Sequence, residues 1–197
     1  MNSINPIIMD ALSKNNIVTT SQVIALGFSR QTLNRYVKEG LLEKVRHGVY
    51  ILPDTVHDDM YTLMLRSESI VFSHESALFL HGLSDRTPFI HTISIPSNKA
   101  LPGSIRDECI CFYVKPEWHK IGMTEKPTTF GHLVRCYDVE RTICDCLRNR
   151  NRCDEETVVS ALKNYAAYDK KDLNRLSSYA EVFRVDAELR KYMEVLL

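Results

Sequence analysis

Apolar residues recur at helical spacing through the first fifty positions, and turn-forming residues interrupt them at short intervals. Asn5 stands before Pro6, which suits a cap and first helical position because proline lacks only an N–H that has no partner there. Ile4 and Met9 occupy the staple positions around that cap. Thr19 and Gln22 spell a capping box, Val18 and Val23 its staple, and Gly27 a stop. Ser29 opens a third helix, with Phe28 and Leu33 as staple, that ends before Gly40. Residues 41–52 are rich in β-formers and break at His47-Gly48, a hairpin turn. Alternation there is too irregular to set the register. The order helix, helix, tight turn, helix, hairpin predicts a winged helix-turn-helix.

Beyond residue 57 the pattern mixes helices with short strands. Residues 58–66 read as helical and 70–72 as a strand. Ser73 caps a helix running to His81 and closed by Gly82. Residues 89–95, 108–114 and 133–137 have strand composition. Asp138 opens a helix through Asn149, and residues 154–168, 171–183 and 185–197 are amphipathic. Their spacing groups Val158, Leu162 and Tyr165, then Leu173, Leu176 and Tyr179, then Leu189, Tyr192 and Leu196. The predicted class is α+β, an N-terminal winged helix-turn-helix followed by a mixed domain with a small sheet packed by helices. The polar stretch 53–59 marks the junction, giving domains 1–55 and 56–197.

The third helix carries the sharpest functional signal. At about 100° per residue, Thr32, Leu33, Tyr36 and Val37 share one side. Arg30, Gln31, Asn34, Arg35 and Lys38 share the other, and none of the five is acidic. Arginine pairs bidentately with guanine, and asparagine and glutamine suit adenine, so this face points to DNA. A plain solvent face is the alternative. Lys44, Arg46 and His47 at the hairpin tip extend the positive surface toward backbone or minor groove. Thr20 and Ser21, in the cap of the second helix, could hold a phosphate, or simply start the helix.

Composition narrows the classes. The 197 residues carry 25 basic and 25 acidic side chains, which excludes a uniformly basic binder. The balance is uneven: residues 1–50 hold six basic against three acidic side chains, and the remainder nineteen against twenty-two. The seven glycines never fall within seven residues of each other, so neither a P-loop nor a dinucleotide fingerprint is present. The amino terminus has no apolar signal core, and the longest apolar run, Cys109–Val114, is far short of a membrane span. A cytoplasmic protein whose six cysteines stay reduced is expected, with no membrane partner.

Catalytic and metal chemistry finds little support. Cys109 and Cys111 share a strand face and Cys144 and Cys146 diverge on a helix, neither pair having zinc-knuckle spacing. His74 and His81 lie two turns apart without a third ligand, and no GxSxG elbow occurs. No cofactor and no metal are expected. Asp138, Glu140 and Asp145 are the carboxylates a metal-dependent nuclease would use, although Asp138 reads better as a cap and the other two diverge. Arg141, Arg148, Arg150, Arg152 and Lys163 form a further basic cluster: a salt-bridge network with Asp145, or a second nucleic-acid surface.

Three segments in register extend this picture: Arg46-His47-Gly48-Val49-Tyr50, then residues 73–83 (SHESALFLHGL), then residues 138–145 (DVERTICD). With them the chain resembles the AbiEi antitoxins of bacterial abortive-infection systems. The resemblance implies an N-terminal winged helix, a C-terminal antitoxin domain, and repression of the protein's own operon through inverted repeats in double-stranded promoter DNA. It also implies antiviral defence as the setting. The functional partner would be an AbiEii-like nucleotidyltransferase toxin, opposed without a stable complex. A non-enzymatic regulator is therefore expected. The rival readings are a DNA-binding metal-dependent nuclease and a ligand-sensing transcriptional regulator.

Overall fold

The computed structural model describes residues 3–196. The chain is mixed α and β, with helices and two sheets. It divides into two compact units, residues 1–68 and 69–197.

The first unit runs α1 (Pro6–Asn15), β1 (Ile17–Thr19), α2 (Thr20–Ala25), α3 (Arg30–Lys38), β2 (Glu43–Arg46), β3 (Val49–Ile51) and α4 (Asp59–Met64). Asn5 accepts from the Ile7 N–H and Pro6 takes the first helical position, as the local sequence predicts. Ile4 packs at the core edge, and Met9 is 44% exposed. Thr19 and Gln22 make both bonds of the capping box, at 3.2 and 2.8 Å. The hairpin forms with its turn at His47-Gly48, and its register slips between Lys44 and Arg46. β1 had no sequence-based expectation; it pairs antiparallel with β3, giving a sheet in the order β1-β3-β2. Ile8, Leu12, Val18, Val23, Leu33, Tyr36, Leu42 and Tyr50 form one buried cluster. The polar stretch 53–58 lies inside this unit. Asp58 caps α4, and Tyr61 on that helix receives a bond from Asn15.

The second unit holds β4 (Val71–Phe72), α5 (His74–Leu80), β5 (His91–Pro96), α6 (Gly103–Arg106), β6 (Cys109–Val114), α7 (Pro116–His119), β7 (Met123–Pro127), β8 (Leu133–Tyr137), α8 (Val139–Arg148), α9 (Glu155–Ala166), α10 (Leu173–Phe183) and α11 (Asp186–Leu196). The sheet order is β6-β5-β4-β8-β7, with β5–β6 and β4–β8 parallel and the other pairs antiparallel. Every predicted strand from 70 onward is present, but β7 escapes its sequence. Met123-Thr124-Glu125-Lys126-Pro127 is a half-exposed edge strand that reads as polar loop.

Asp138, Asp154 and Asp172 cap α8, α9 and α10, each accepting from the N–H three residues on. α8 is buried along nearly its whole length and packs against α5, α9, α10 and α11. Leu173 departs from its predicted core position and is 45% exposed, whereas Leu176 and Leu189 are buried. Of the predicted segment 185–197, Leu197 and the side chains of Val195 and Leu196 lie outside the described residues, as do Met1 and Asn2 at the amino terminus.

Candidate nucleic-acid interface

Helices α2 and α3 are joined by a tight turn at residues 26–29. Gly27 adopts a φ of +87° there, which a Cβ would resist, and the Phe28 N–H returns to the Val23 carbonyl at 3.0 Å. Leu33 and Tyr36 of α3 are 0% and 3% exposed, and Thr32 and Val37 are half-buried beside them. Burial of that side fixes the rotation of the helix. Arg30, Gln31, Asn34, Arg35 and Lys38 are all exposed as a result. Arg35 makes only a 4.0 Å approach to Glu39, and its guanidinium lies 5.2 Å from the Tyr36 ring centroid. Among the described residues no ion pair is seen for Arg30 or Lys38.

The remaining predicted contacts divide. Lys44 and His47 are exposed on the hairpin. Arg46 is turned inward: its side chain is 15% exposed and its Nη2 donates to Asp59 at 2.8 Å. The register slip at Lys44/Arg46 breaks the strand alternation that would have pointed it outward. At the α2 cap, the Thr19 and Gln22 N–H groups serve the capping box, and the Thr20 N–H donates to the Gly48 carbonyl at 2.9 Å. Thr20 is thus half-buried against the hairpin turn, and Ser21 is the exposed one of the two.

The C-terminal basic cluster needs one correction. Arg141 is 0% exposed and belongs to no surface. Its Nε donates to Asp145 at 2.9 Å and its Nη1 to the carbonyls of Trp118 and Ile121 at 2.8 and 2.9 Å. Its guanidinium lies 4.1 and 3.9 Å from the Tyr137 and Phe183 ring centroids. A charge one turn from Asp145 on the buried face of α8 has to be paired in place. Arg148, Arg150, Arg152 and Lys163 are exposed. Arg148 stacks on Trp118 at 4.4 Å, and Lys115 approaches the same ring at 4.8 Å. Lys115 went unnoticed in the sequence, although its spacing of three from Trp118 was available as a signal. Arg152 stacks on Phe112 at 4.2 Å and donates to the Cys111 carbonyl at 3.2 Å.

The carboxylates a nuclease would require are engaged elsewhere. Asp138 accepts from the Arg141 N–H at 2.8 Å and from the Tyr179 hydroxyl at 3.2 Å, while burial raises its carboxyl above the ordinary range. Glu140 accepts from the Asp172 N–H at 3.0 Å and the Tyr165 hydroxyl at 3.3 Å. Asp145 holds Arg141. Among the described residues no group of three or more His, Cys, Asp or Glu is arranged to hold a metal ion. No described helix is long and apolar enough to cross a membrane. His74 is wholly buried, stacked 3.6 Å from the Phe112 ring centroid and bonded to Ser73 and Asn149. Burial pushes its ring down to about 3, so it is neutral. His81 contacts the Tyr137 carbonyl at 2.7 Å.

A helix pair joined by a tight turn, with a polar cationic face on the second helix, defines a helix-turn-helix-like unit. Residues 7–53 match the family described as "Transcriptional regulator, AbiEi antitoxin", which bears out the resemblance over that segment. The family is one of regulators rather than enzymes. The chain is also similar to the crystal structure of the RV2827C protein from Mycobacterium tuberculosis, with a TM-score of 0.55 and 15% identity. That likeness covers 93% of this chain and 80% of the other and concerns the fold alone. No curated protein matches the chain.

Proposed function

We propose that this protein is a DNA-binding autorepressor and antitoxin. Residues 1–68, the first compact unit, act as a winged helix-turn-helix on inverted repeats in the promoter of its own operon. In this reading α3 enters the major groove, where Arg30, Gln31, Asn34 and Arg35 read or position bases and Lys38 holds phosphate. The hairpin serves as the wing, and Lys44 and His47 supply its backbone contacts. Arg46 orders the wing through Asp59 instead of touching DNA. Residues 69–197, the second unit, carry the antitoxin activity, without catalysis, against a nucleotidyltransferase-like toxin that is not held in a stable complex. The exposed face of α3 carries this proposal: five polar or cationic side chains, none acidic, over a buried Leu33 and Tyr36.

The test is binding of the full chain to labelled DNA from its own promoter across a salt titration. Arg35→Ala should cost about 1–3 kcal/mol and relax sequence preference. Wild-type affinity for Arg35→Ala at every salt concentration would remove α3 from the groove. Operator repression and rescue of growth from the toxin should separate in an Arg30→Ala/Arg35→Ala variant, which loses the first and keeps the second.

A second reading, a ligand-sensing regulator, draws on a cavity of about 570 Å³ in the second unit. Pro88, Phe89, Ile90 and Ile110 line it with Glu75 and Arg86, and its size and apolar walls suit a small molecule. Release of promoter DNA on adding a small molecule, lost when Ile110 is enlarged to Trp, would establish it.

A further inference from the structure

Cys109 and Cys111 belong to β6, one of the two edge strands of the second unit's sheet. The strand period of two places them on one face, and their sulfurs lie 3.6 Å apart. Cys109 is 7% exposed, and its sulfur lies 3.0 Å from the Ile105 carbonyl on α6, so its S–H can turn to that carbonyl or to Cys111. Cys111 is only half-buried. Its thiol is drawn down to about 7, first by its hydrogen bond with Cys109 and further by the Arg106 and Arg152 guanidiniums, against the opposing effect of burial. Cys144 is the contrast: wholly buried on α8, with its thiol pushed well up by burial. A structural thiol fills space as Cys144 does. A reactive one is partly exposed, in electropositive surroundings, with a second thiol beside it.

We propose that Cys111 and Cys109 constitute a peroxide-reactive dithiol, in which Cys111 is oxidised first and Cys109 closes a disulfide onto it. The Cys111 sulfur attacks one oxygen of hydrogen peroxide and the O–O bond breaks. The departing hydroxide takes up the proton Cys111 gave up, forming water and leaving a sulfenic acid. The Cys109 sulfur then attacks the Cys111 sulfur and the S–O bond breaks. That second hydroxide takes the Cys109 proton as water. Two thiols and one peroxide become one disulfide and two waters, each sulfur giving one electron to the peroxide.

Two strand residues span about 6.6 Å between Cα atoms, close to the upper end of what a disulfide bridges. Closing it pinches the first residues of β6. The edge position tolerates this, because β6 has a strand neighbour, β5, on one side only. A bridge formed under such strain is easily reduced, so the modification is reversible.

Peroxide treatment of the full chain, blocking of remaining thiols and tryptic mapping test this directly. Cys109 and Cys111 are the two cysteines of peptide 107–120, since Lys115 precedes Pro116 and resists trypsin. The expected result is a peptide two hydrogens lighter, restored by dithiothreitol, and no such shift in Cys111→Ser. In Cys109→Ser, Cys111 should instead be trapped as a dimedone adduct. Retention of both thiols in wild-type peptide 107–120, or Cys111 passing to the sulfinic acid without the two-hydrogen loss, would overturn the proposal. So would a bridge joining peptides 142–148 and 153–163 in its place. The wild-type peptide decides by itself should a variant fold poorly.

Discussion

Arg141 and Asp145 form an ion pair inside the second unit, Nε to carboxylate at 2.9 Å, with side chains 0% and 2% exposed. One helical turn separates them, so α8 presents both charges to the same interior. Two backbone carbonyls and two ring faces hold the rest of the guanidinium, whose Nη2 is buried with no hydrogen-bond partner. Removing one partner leaves the other charge buried and uncompensated. Arg141→Leu should therefore cost about 3–5 kcal/mol. Arg141→Leu/Asp145→Leu should cost clearly less than the two single changes together. Urea unfolding of the four proteins measures the coupling.

Gly122 stands against the same helix start. Its φ is +73°, and an added Cβ would lie 2.8 Å from the Arg141 Cβ and 3.2 Å from Asp138 Oδ1. Gly122→Ala combines left-handed strain of about 1–2 kcal/mol with overpacking of about 1–3 kcal/mol. Gly82 has a similar φ of +68° but open space around it. Gly82→Ala should show the strain alone. Equal losses for the two in thermal or urea unfolding would contradict the crowding at Gly122.

His74 sets a pH dependence with a definite sign. Burial lowers its folded-state value from 6.5 to about 3. Between those values the unfolded chain takes up a proton that the folded chain refuses, so stability is complete above pH 6.5 and falls as the pH drops toward 3. At pH 4.5 the loss should reach about 3 kcal/mol. Burial also lowers His81 and His119, and both add in the same direction. The His74→Gln variant should lose the His74 part of the slope between pH 7 and 4.5, and an unchanged slope would place the ring's proton outside this account.

The salt dependence of the proposed DNA binding would separate phosphate holders from base readers. Lys38→Ala should weaken binding evenly across sequences and reduce the salt slope by about one unit. Arg46→Ala should leave that slope unchanged, because Arg46 is committed to Asp59. A reduced slope for Arg46→Ala would return it to the DNA contacts.

Local rules carried much of this protein in its sequence. Caps at Asn5, Thr19, Asp138 and Asp154 are made within three residues of the chain, so their bonds need no distant partner. The rotation of α3 was legible for a related reason. Leu33 and Tyr36 must be buried whatever covers them, and the helical period then sends Arg30, Asn34 and Arg35 the other way. What followed from long-range pairing was not legible. β1 is three residues that become a strand only beside β3, and β7 is polar enough to pass for a loop until it lies along β8. Arg46 carried the same expectation of exposure as its neighbours, whereas the four-residue spacing of Arg141 and Asp145 already offered their ion pair. A register slip brought Arg46 to Asp59, and the packing of α8 enclosed Arg141 with Asp145. Charge is read from the residue's letter, and a partner one helical turn away can be read with it; whether that pair is enclosed, and whether a charge such as that of Arg46 meets water or a carboxylate on another element, is settled by the tertiary structure.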